Sequence, residues 1–260
     1  MFADSHVHLD RYTDEEVSGL LLRAHQAGVT RLLTVGVDLA SSERAILLAR
    51  QHPGLYAALG LHPAFLYEDF SANLIQYTER LRALAQHAPE VVAIGEAGID
   101  LVEAQAPLDL QRAAFRMHLQ LARELGLPLI LHNQGADIIC QQEMLQAARR
   151  KTGRLVDVLV HYFVGDLASA SRWLDLGCFL SVGKPVTRPE HRALREAVAS
   201  IPLERLLLET DTYPLPGRTT EPAHIVEIAQ AVAEIRRLPV AKIAEQTTAN
   251  FCRLLRIPEP

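Results

Sequence analysis

The 260-residue sequence predicts a single (β/α)8 TIM-type barrel spanning residues 1–260. Three observations lead there. Eight short runs are apolar almost throughout, as expected of parallel strands buried on both faces. Each run is followed by a stretch of helical period, and about 250 residues is a typical length for eight such units. No Gly-x-Gly-x-x-Gly or phosphate-binding loop follows the first run, which counts against the alternative, a doubly wound nucleotide-binding sheet.

The strand candidates are Phe2–His6, Arg31–Val37, Leu55–Leu61, Val91–Glu96, Pro128–His132, Leu155–His161, Cys178–Val182 and Arg205–Glu209. The first helix opens on a capping box, Thr13-Asp-Glu-Glu16, and stops at Gly28, with Val17, Leu20, Leu21 and Ala24 on its apolar face. The second runs from Ser41 to His52 and ends before Pro53. A third covers Ser71–His87. The fourth, Leu108–Leu125, turns Phe115, Leu119 and Ala122 inward and is closed by Gly126. Further helices are expected at Ala136–Arg150, Leu167–Leu176, Pro189–Ser200 and Glu221–Arg236, with a final pair at Val240–Glu245 and Thr248–Leu255. No linker, low-complexity segment or close repeat interrupts the chain.

Composition narrows the function. With 26 basic and 31 acidic residues the formal net charge is -5, and no basic tail offers nonspecific affinity for a polyanion. The cysteines, Cys140, Cys178 and Cys252, are odd in number and lack Cys-x-x-Cys spacing, so neither a disulfide framework nor a thiolate zinc site is expected. Asp4 and His6 interrupt the N-terminus before any signal-like apolar segment can form. No run is long enough to span a bilayer. A cytoplasmic protein without membrane contact or an obligate protein partner is the expectation.

In such a barrel the active site lies at the C-terminal ends of the strands, so position tests residue type. Of eleven histidines, His6, His8, His62, His132 and His161 fall at or just past a strand end. The other six, His25, His52, His87, His118, His191 and His224, fall in helices or at their ends, where a packed or solvated side chain is expected. His6 and His8, two apart on a strand, leave the backbone on one face. Taken alone, that pair is weak evidence, because roughly half a His-x-His pair arises by chance at this histidine content. Acids join them: Glu96 closes the fourth strand and Asp211 follows the eighth. Either, taken singly, could be a helix cap or a surface charge. Asp100 could simply organise its loop, and Glu209 reads as an acid held inside the wall. Together, His6, His8, Glu96, His132, His161 and Asp211 would project into one mouth. Nitrogen and oxygen ligands without thiolates suit zinc, manganese or a related divalent ion such as magnesium. Six protein ligands exceed what one zinc takes, so two divalent metal ions sharing a bridging carboxylate are expected.

The stretches Asp4-Ser-His-Val-His8-Leu-Asp10, Gly60-Leu-His-Pro63, Ile94-Gly-Glu-Ala-Gly-Ile-Asp100, Leu127-Pro-Leu-Ile-Leu-His132, His161-Tyr-Phe-Val-Gly165, Leu207-Leu-Glu-Thr-Asp211 and Thr247-Thr-Ala-Asn-Phe251 run the length of the chain. In content and order they resemble the TatD family of metal-dependent deoxyribonucleases, within the wider amidohydrolase-like barrels. The resemblance implies one metal held by His6, His8, Glu96 and Asp211, and a second held by Glu96, His132 and His161, with Glu96 bridging. It implies that Asp211 orients or deprotonates the attacking water and that His62 contacts a substrate phosphate. Lys184, past the seventh strand, could meet a phosphate or simply be solvated.

The implied activity is hydrolysis of DNA phosphodiesters, exonucleolytic or on short single strands, by a two-metal-activated water. The chain departs from the family pattern at His132-Asn133-Gln134, where an arginine commonly stands two positions after the histidine. Gln134 keeps hydrogen bonding and loses the bidentate charged fork. After the eighth strand, Arg218 stands near the place where an asparagine is usual before Glu221-Pro222. Substrate preference is therefore open. The competing readings are an amidohydrolase or lactonase, an ester hydrolase acting on charged transfer RNA, and a non-catalytic metal-binding protein. Glu96, standing where many amidohydrolases carry a carboxylated lysine, tilts toward the nuclease branch. Low aromatic content (5%) offers few base-stacking platforms and favours small or end-bound substrates.

Overall fold

A computed structural model describes residues 1–67, 73–149, 156–214 and 220–259. Eight parallel strands lie in one sheet in chain order: β1 Phe2–Val7, β2 Val29–Val35, β3 Leu55–Leu59, β4 Val91–Asp100, β5 Leu129–Gln134, β6 Val158–Val160, β7 Phe179–Val182 and β8 Leu206–Leu208. The sheet curls into a nearly closed barrel. Its seam is made where β1 meets the segment after β8: Asp211 N–H donates to His6 O (3.0 Å) and His8 N–H to Thr212 O (2.8 Å). Barrel closure and the placing of three candidate ligands are thus one set of hydrogen bonds.

The strands are apolar throughout because alternate residues serve two cores. Leu32, Ala57, Leu129, Leu131, Val158, Val160, Leu206 and Leu208 pack in the larger cluster, against the helices. Leu33, Ala58, Ile130, Leu159 and Leu207 pack in the second, inside the barrel.

The helices that wrap the strands are α1 Asp14–Gln26, α2 Leu39–Gln51, α3 Leu74–His87, α4 Leu108–Leu125, α5 Asp137–Arg149, α6 Leu167–Asp175, α7 Arg192–Ser200, α8 Ile225–Arg236 and α9 Val240–Leu255. The Thr13–Glu16 capping box forms as expected: the Thr13 hydroxyl accepts from Glu16 N–H, and the Glu16 carboxylate accepts from Thr13 N–H. Gly126 ends α4 in the left-handed conformation.

Some boundaries move. The expected final pair of helices is one continuous helix, α9, because the Thr247 hydroxyl turns back onto Ile243 O (2.8 Å) and both Thr247 and Thr248 are buried. Phe251, Cys252, Leu254 and Leu255 of α9 join the inner cluster and close its lower end. The second strand lies two residues earlier than expected. The eighth helix starts at Ile225, after a 3-10 turn at Pro222–His224. Leu155, Ser71, Arg150 and Arg218 lie outside the described residues.

The largest correction concerns β4. It does not end at Glu96 but runs on to Asp100, with a register shift between Ile94 and Ala97. Two glycines allow this. Gly95 sits at φ 128°, and a side chain on Gly98 would collide with His132 O. The Gly95–Glu96 peptide is cis. Glu96 therefore emerges from inside the wall, and Asp100 occupies the strand end.

Candidate metal centre

Glu96 is the hub of the site. Its carboxylate is almost fully buried and each oxygen faces a different pair of imidazoles. Oε2 lies 3.3 Å from His6 Nε2 and 3.7 Å from His8 Nε2. Oε1 lies 2.7 Å from both His132 Nδ1 and His161 Nε2. Asp211 joins on the first side, with Oδ1 3.5 Å from His8 Nε2. The rings of His6 and His161 stack at 3.9 Å between centroids, linking the two halves. All six expected ligand residues therefore converge.

The route to convergence differs in detail from simple strand alternation. β1 shifts register between Asp4 and Val7, and His8 stands one residue past the strand. The two imidazoles still meet, Nε2 to Nε2, at 3.2 Å.

A metal-binding imidazole needs its other nitrogen tied to an acceptor, which fixes tautomer and direction. Three of the four rings have one. His8 Nδ1 lies 3.1 Å from Val35 O, His132 Nε2 lies 3.1 Å from Asp100 Oδ2, and His161 Nδ1 lies 3.3 Å from Glu209 Oε1. Each can donate outward, which leaves the nitrogen that faces Glu96 free to serve as a ligand once it gives up its proton. His6 Nδ1 is buried and has no partner among the described residues.

Asp100, expected to organise its loop, and Glu209, expected to be held inside the wall, both accept from the far side of these rings. Asp100 also accepts from Val102 N–H and Glu103 N–H through Oδ1, both at 2.8 Å, so it organises its loop as well. Glu209 Oε1 also accepts from Tyr162 N–H at 2.6 Å. Asp4 fastens the seam from below, accepting from Thr210 N–H (3.0 Å) and Thr210 Oγ1 (2.6 Å), one residue before Asp211. Their signal in the sequence was proximity alone: each acid lies within two to four residues of a ligand.

The electrostatics fit a cation. Among the described residues no lysine or arginine pairs with Glu96, Asp100, Glu209 or Asp211; their only ionic partners are imidazoles. Burial lowers the proton affinity of the rings while the carboxylates raise it. The carboxylates win at His8, His132 and His161, and burial wins at His6 and His62, the latter pushed down to about 3. Burial would raise the Glu96 and Asp211 carboxyls, but the surrounding imidazoles outweigh it. Glu96 falls well below its usual range and Asp211, with His8 as hydrogen-bond partner, to about 2. Buried carboxylates without lysine or arginine partners among the described residues, ringed by imidazole nitrogens, are a donor set that divalent ions satisfy by displacing the imidazole protons. His6, His8 and Glu96 lie close enough to share one ion, and Glu96, His132 and His161 another; Asp211 groups with His6 and His161 and also approaches His8, so it could complete the first set.

The expected substrate contacts divide. His62 is at the site, with Nε2 3.1 Å from His132 Nδ1 and 3.6 Å from Glu96 Oε1. Its Nδ1 accepts Ala64 N–H at 3.0 Å, so the neutral ring carries its proton on Nε2 and is a donor, not a ligand. Gln134 ends β5 at the rim, where its backbone carbonyl accepts Leu101 N–H (2.9 Å). Lys184 opens a 3-10 turn after β7, and no hydrogen bond or ion pair joins it to the ligand set. His118, expected to be packed or solvated, is fully buried.

Comparison with known proteins identifies the family and the fold. A family model described as TatD related DNase matches residues 3–256. A Bacillus subtilis protein described as the uncharacterized metal-dependent hydrolase YabD is 32% identical over 263 residues, covering 99% of this chain and 100% of that protein. A Klebsiella pneumoniae protein described as the 3'-5' ssDNA/RNA exonuclease TatD is 33% identical, covering 92% of this chain and 91% of its own length. The crystal structure of the Escherichia coli TatD homologue YjjV superposes with a TM-score of 0.86 at 31% identity, over 99% of this chain and 98% of that one. Among the described residues no helix is long and apolar enough to cross a membrane. With a family model matched over nearly its whole length and relatives alike in sequence and fold, this chain belongs to the TatD family of metal-dependent hydrolases.

Proposed function

We propose that this protein, one hydrolase domain over residues 1–260, cleaves phosphodiester bonds of DNA, from an end or on short single strands, using two divalent metal ions. The observation that carries the two-ion reading is the division of Glu96: one oxygen faces His6 and His8, the other His132 and His161. A nitrogen-rich set favours zinc, and the carboxylates Glu96 and Asp211 keep manganese or magnesium as the harder alternatives. Bound there, the ions would lower the pKa of water and stabilise charge developing on phosphoryl oxygens.

The chain's own residues supply the rest. Asp211 stays ionised beside His8 and accepts a proton from the attacking water. His62 offers Nε2–H to a non-bridging phosphate oxygen. Gln134 adds a neutral amide at the rim, and Lys184 a positive charge at the turn after β7. The walls of the barrel exclude bulk water on every side but the mouth. Three buried free thiols, Cys140, Cys178 and Cys252, suit a reducing compartment, and we place the enzyme in the cytoplasm.

The Klebsiella relative's name supports a nucleic-acid substrate, and the neutral Gln134 keeps other esters in play. The test is a hydrolysis screen of metal-loaded protein against single-stranded DNA, RNA, phosphomonoesters, lactones and aminoacylated RNA, with Asp211→Ala as control. Release of mononucleotides from single-stranded DNA, absent in the control, is the expected result. Turnover of lactones or aminoacyl esters alone would replace the substrate assignment, and turnover surviving exhaustive chelation would end the metal-hydrolase reading.

A further inference from the structure

Helix α4 carries two polar side chains on the face it turns toward the barrel, Gln111 and His118, two turns apart and 2% and 0% exposed. Neither touches a ligand atom. Each accepts one backbone N–H from the top of a neighbouring strand. Gln111 Oε1 accepts Asp100 N–H at 2.9 Å, while its amide donates to Ala106 O at 2.9 Å. His118 Nε2 accepts Leu61 N–H at 3.0 Å, while its Nδ1–H donates to Ala114 O at 2.8 Å. That second bond, one helical turn back, sets the tautomer and leaves the Nε2 lone pair for Leu61.

The two anchored residues lead to one place. Asp100 accepts from His132 Nε2. Leu61 stands between His62 and Gly60, and Gly60 is pressed so close to β4 that a Cβ there would lie 2.4 Å from Glu96 O. His62 and His132 are themselves in contact, with ring centroids 4.1 Å apart. Two chains of bonds from one helix therefore end on one pair of imidazoles.

We infer that α4 is the positioning element for the His62–His132 edge of the site, acting through the buried acceptors Gln111 and His118. The inference rests on the reading of His62 as a substrate contact and His132 as a metal ligand. His118 fixes the height of the Gly60–Pro63 turn, and so the distance from His62 Nε2–H to a bound phosphate. Gln111 fixes Asp100, and so the direction of the His132 lone pair. Both are positioning residues. An apolar side chain in either place leaves a buried N–H without an acceptor and lets the strand top relax.

Three variants test this: His118→Leu, His118→Gln and Gln111→Leu. His118→Leu is expected to lower kcat/KM about 10- to 100-fold, chiefly through KM, the scale of losing one hydrogen bond from His62 to a charged phosphate. His118→Gln, which keeps an acceptor for Leu61, is expected within about threefold of wild type. In a His62→Ala background, His118→Leu is expected to cost less than about threefold more, because the residue it positions is gone. Gln111→Leu is expected to weaken zinc binding at the second position about tenfold, read by competition with a chromophoric chelator. Full additivity of His118→Leu with His62→Ala, or a His118→Gln protein as impaired as His118→Leu, would overturn the inference. Should the leucine variants fail to fold, the wild-type zinc-loaded protein still decides. Its ring 15N shifts must show His118 protonated at Nδ1 and bare at Nε2, and its Leu61 amide must be protected from exchange; the opposite tautomer or a fast-exchanging Leu61 refutes it. A wild-type protein that hydrolyses nothing would sink the substrate reading, while the zinc-affinity and 15N measurements would still judge this one.

Discussion

His118 makes a quantitative stability prediction. Its folded-state pKa is lowered from an ordinary 6.5 to about 4, chiefly by burial and only partly offset by the bond to Ala114 O. Between those values the unfolded chain binds a proton that the folded chain refuses. Unfolding therefore gains free energy as pH falls, and the stability present above pH 6.5 is progressively lost toward pH 4. The full span of about 2.5 units corresponds to about 3.5 kcal/mol, at about 1.4 kcal/mol per unit. By pH 5 about 2 kcal/mol of it is gone. His118→Gln removes the titrating group and keeps the acceptor. Urea unfolding of both proteins, free of metal, at pH 7.5 and pH 5.0 isolates the effect, because all other titrating groups are common to the pair. Wild type is expected to lose about 2 kcal/mol more than the variant over that interval. Parallel losses would show that His118 titrates normally and that its burial and its bond to Leu61 are wrongly drawn.

Other substitutions probe the site directly. Asp211→Ala should lower kcat by about 10²- to 10⁴-fold, the range for loss of a general base, in steady-state assays on the substrate found by the screen. Gln134→Arg should strengthen binding of a phosphodiester about tenfold, by offering a charged fork at the rim, and the KM for DNA would report it. Asp100→Asn keeps the size of the side chain but weakens the acceptor facing His132 Nε2. Zinc affinity at the second position should fall about 10- to 100-fold while the first position, read by sequential titration, holds.

Much of the barrel was legible because its strands are buried on both faces, so that each run is apolar without a polar partner face. The convergence of the six candidate ligands was legible because barrel topology brings all strand tops to one mouth, whatever their separation in sequence. Sequence periodicity failed where backbone geometry decided. Nothing in Ile-Gly-Glu-Ala-Gly-Ile-Asp announces that β4 continues to Asp100; that depends on Gly95 and Gly98 admitting neighbouring backbone. The break expected between Glu245 and Thr248 is absent: the Thr247 hydroxyl bonds back to Ile243 O and the helix runs on. The outer partners were the least legible. Asp100, Glu209, Gln111 and His118 acquire their roles from which N–H lies opposite them, and that is a tertiary fact. His118 in particular looked like any histidine bordering an apolar stripe.

The central claim is that Glu96 divides its two oxygens between two cations. Anomalous diffraction from crystals of the manganese-loaded protein, collected on both sides of the manganese edge, tests it most directly. The account expects two anomalous peaks, one beside His6, His8 and Asp211 and one beside His132 and His161, with the Glu96 carboxylate between them, and loss of at least one peak in Glu96→Gln. A single peak remote from Glu96, or two peaks unchanged in Glu96→Gln, would contradict it.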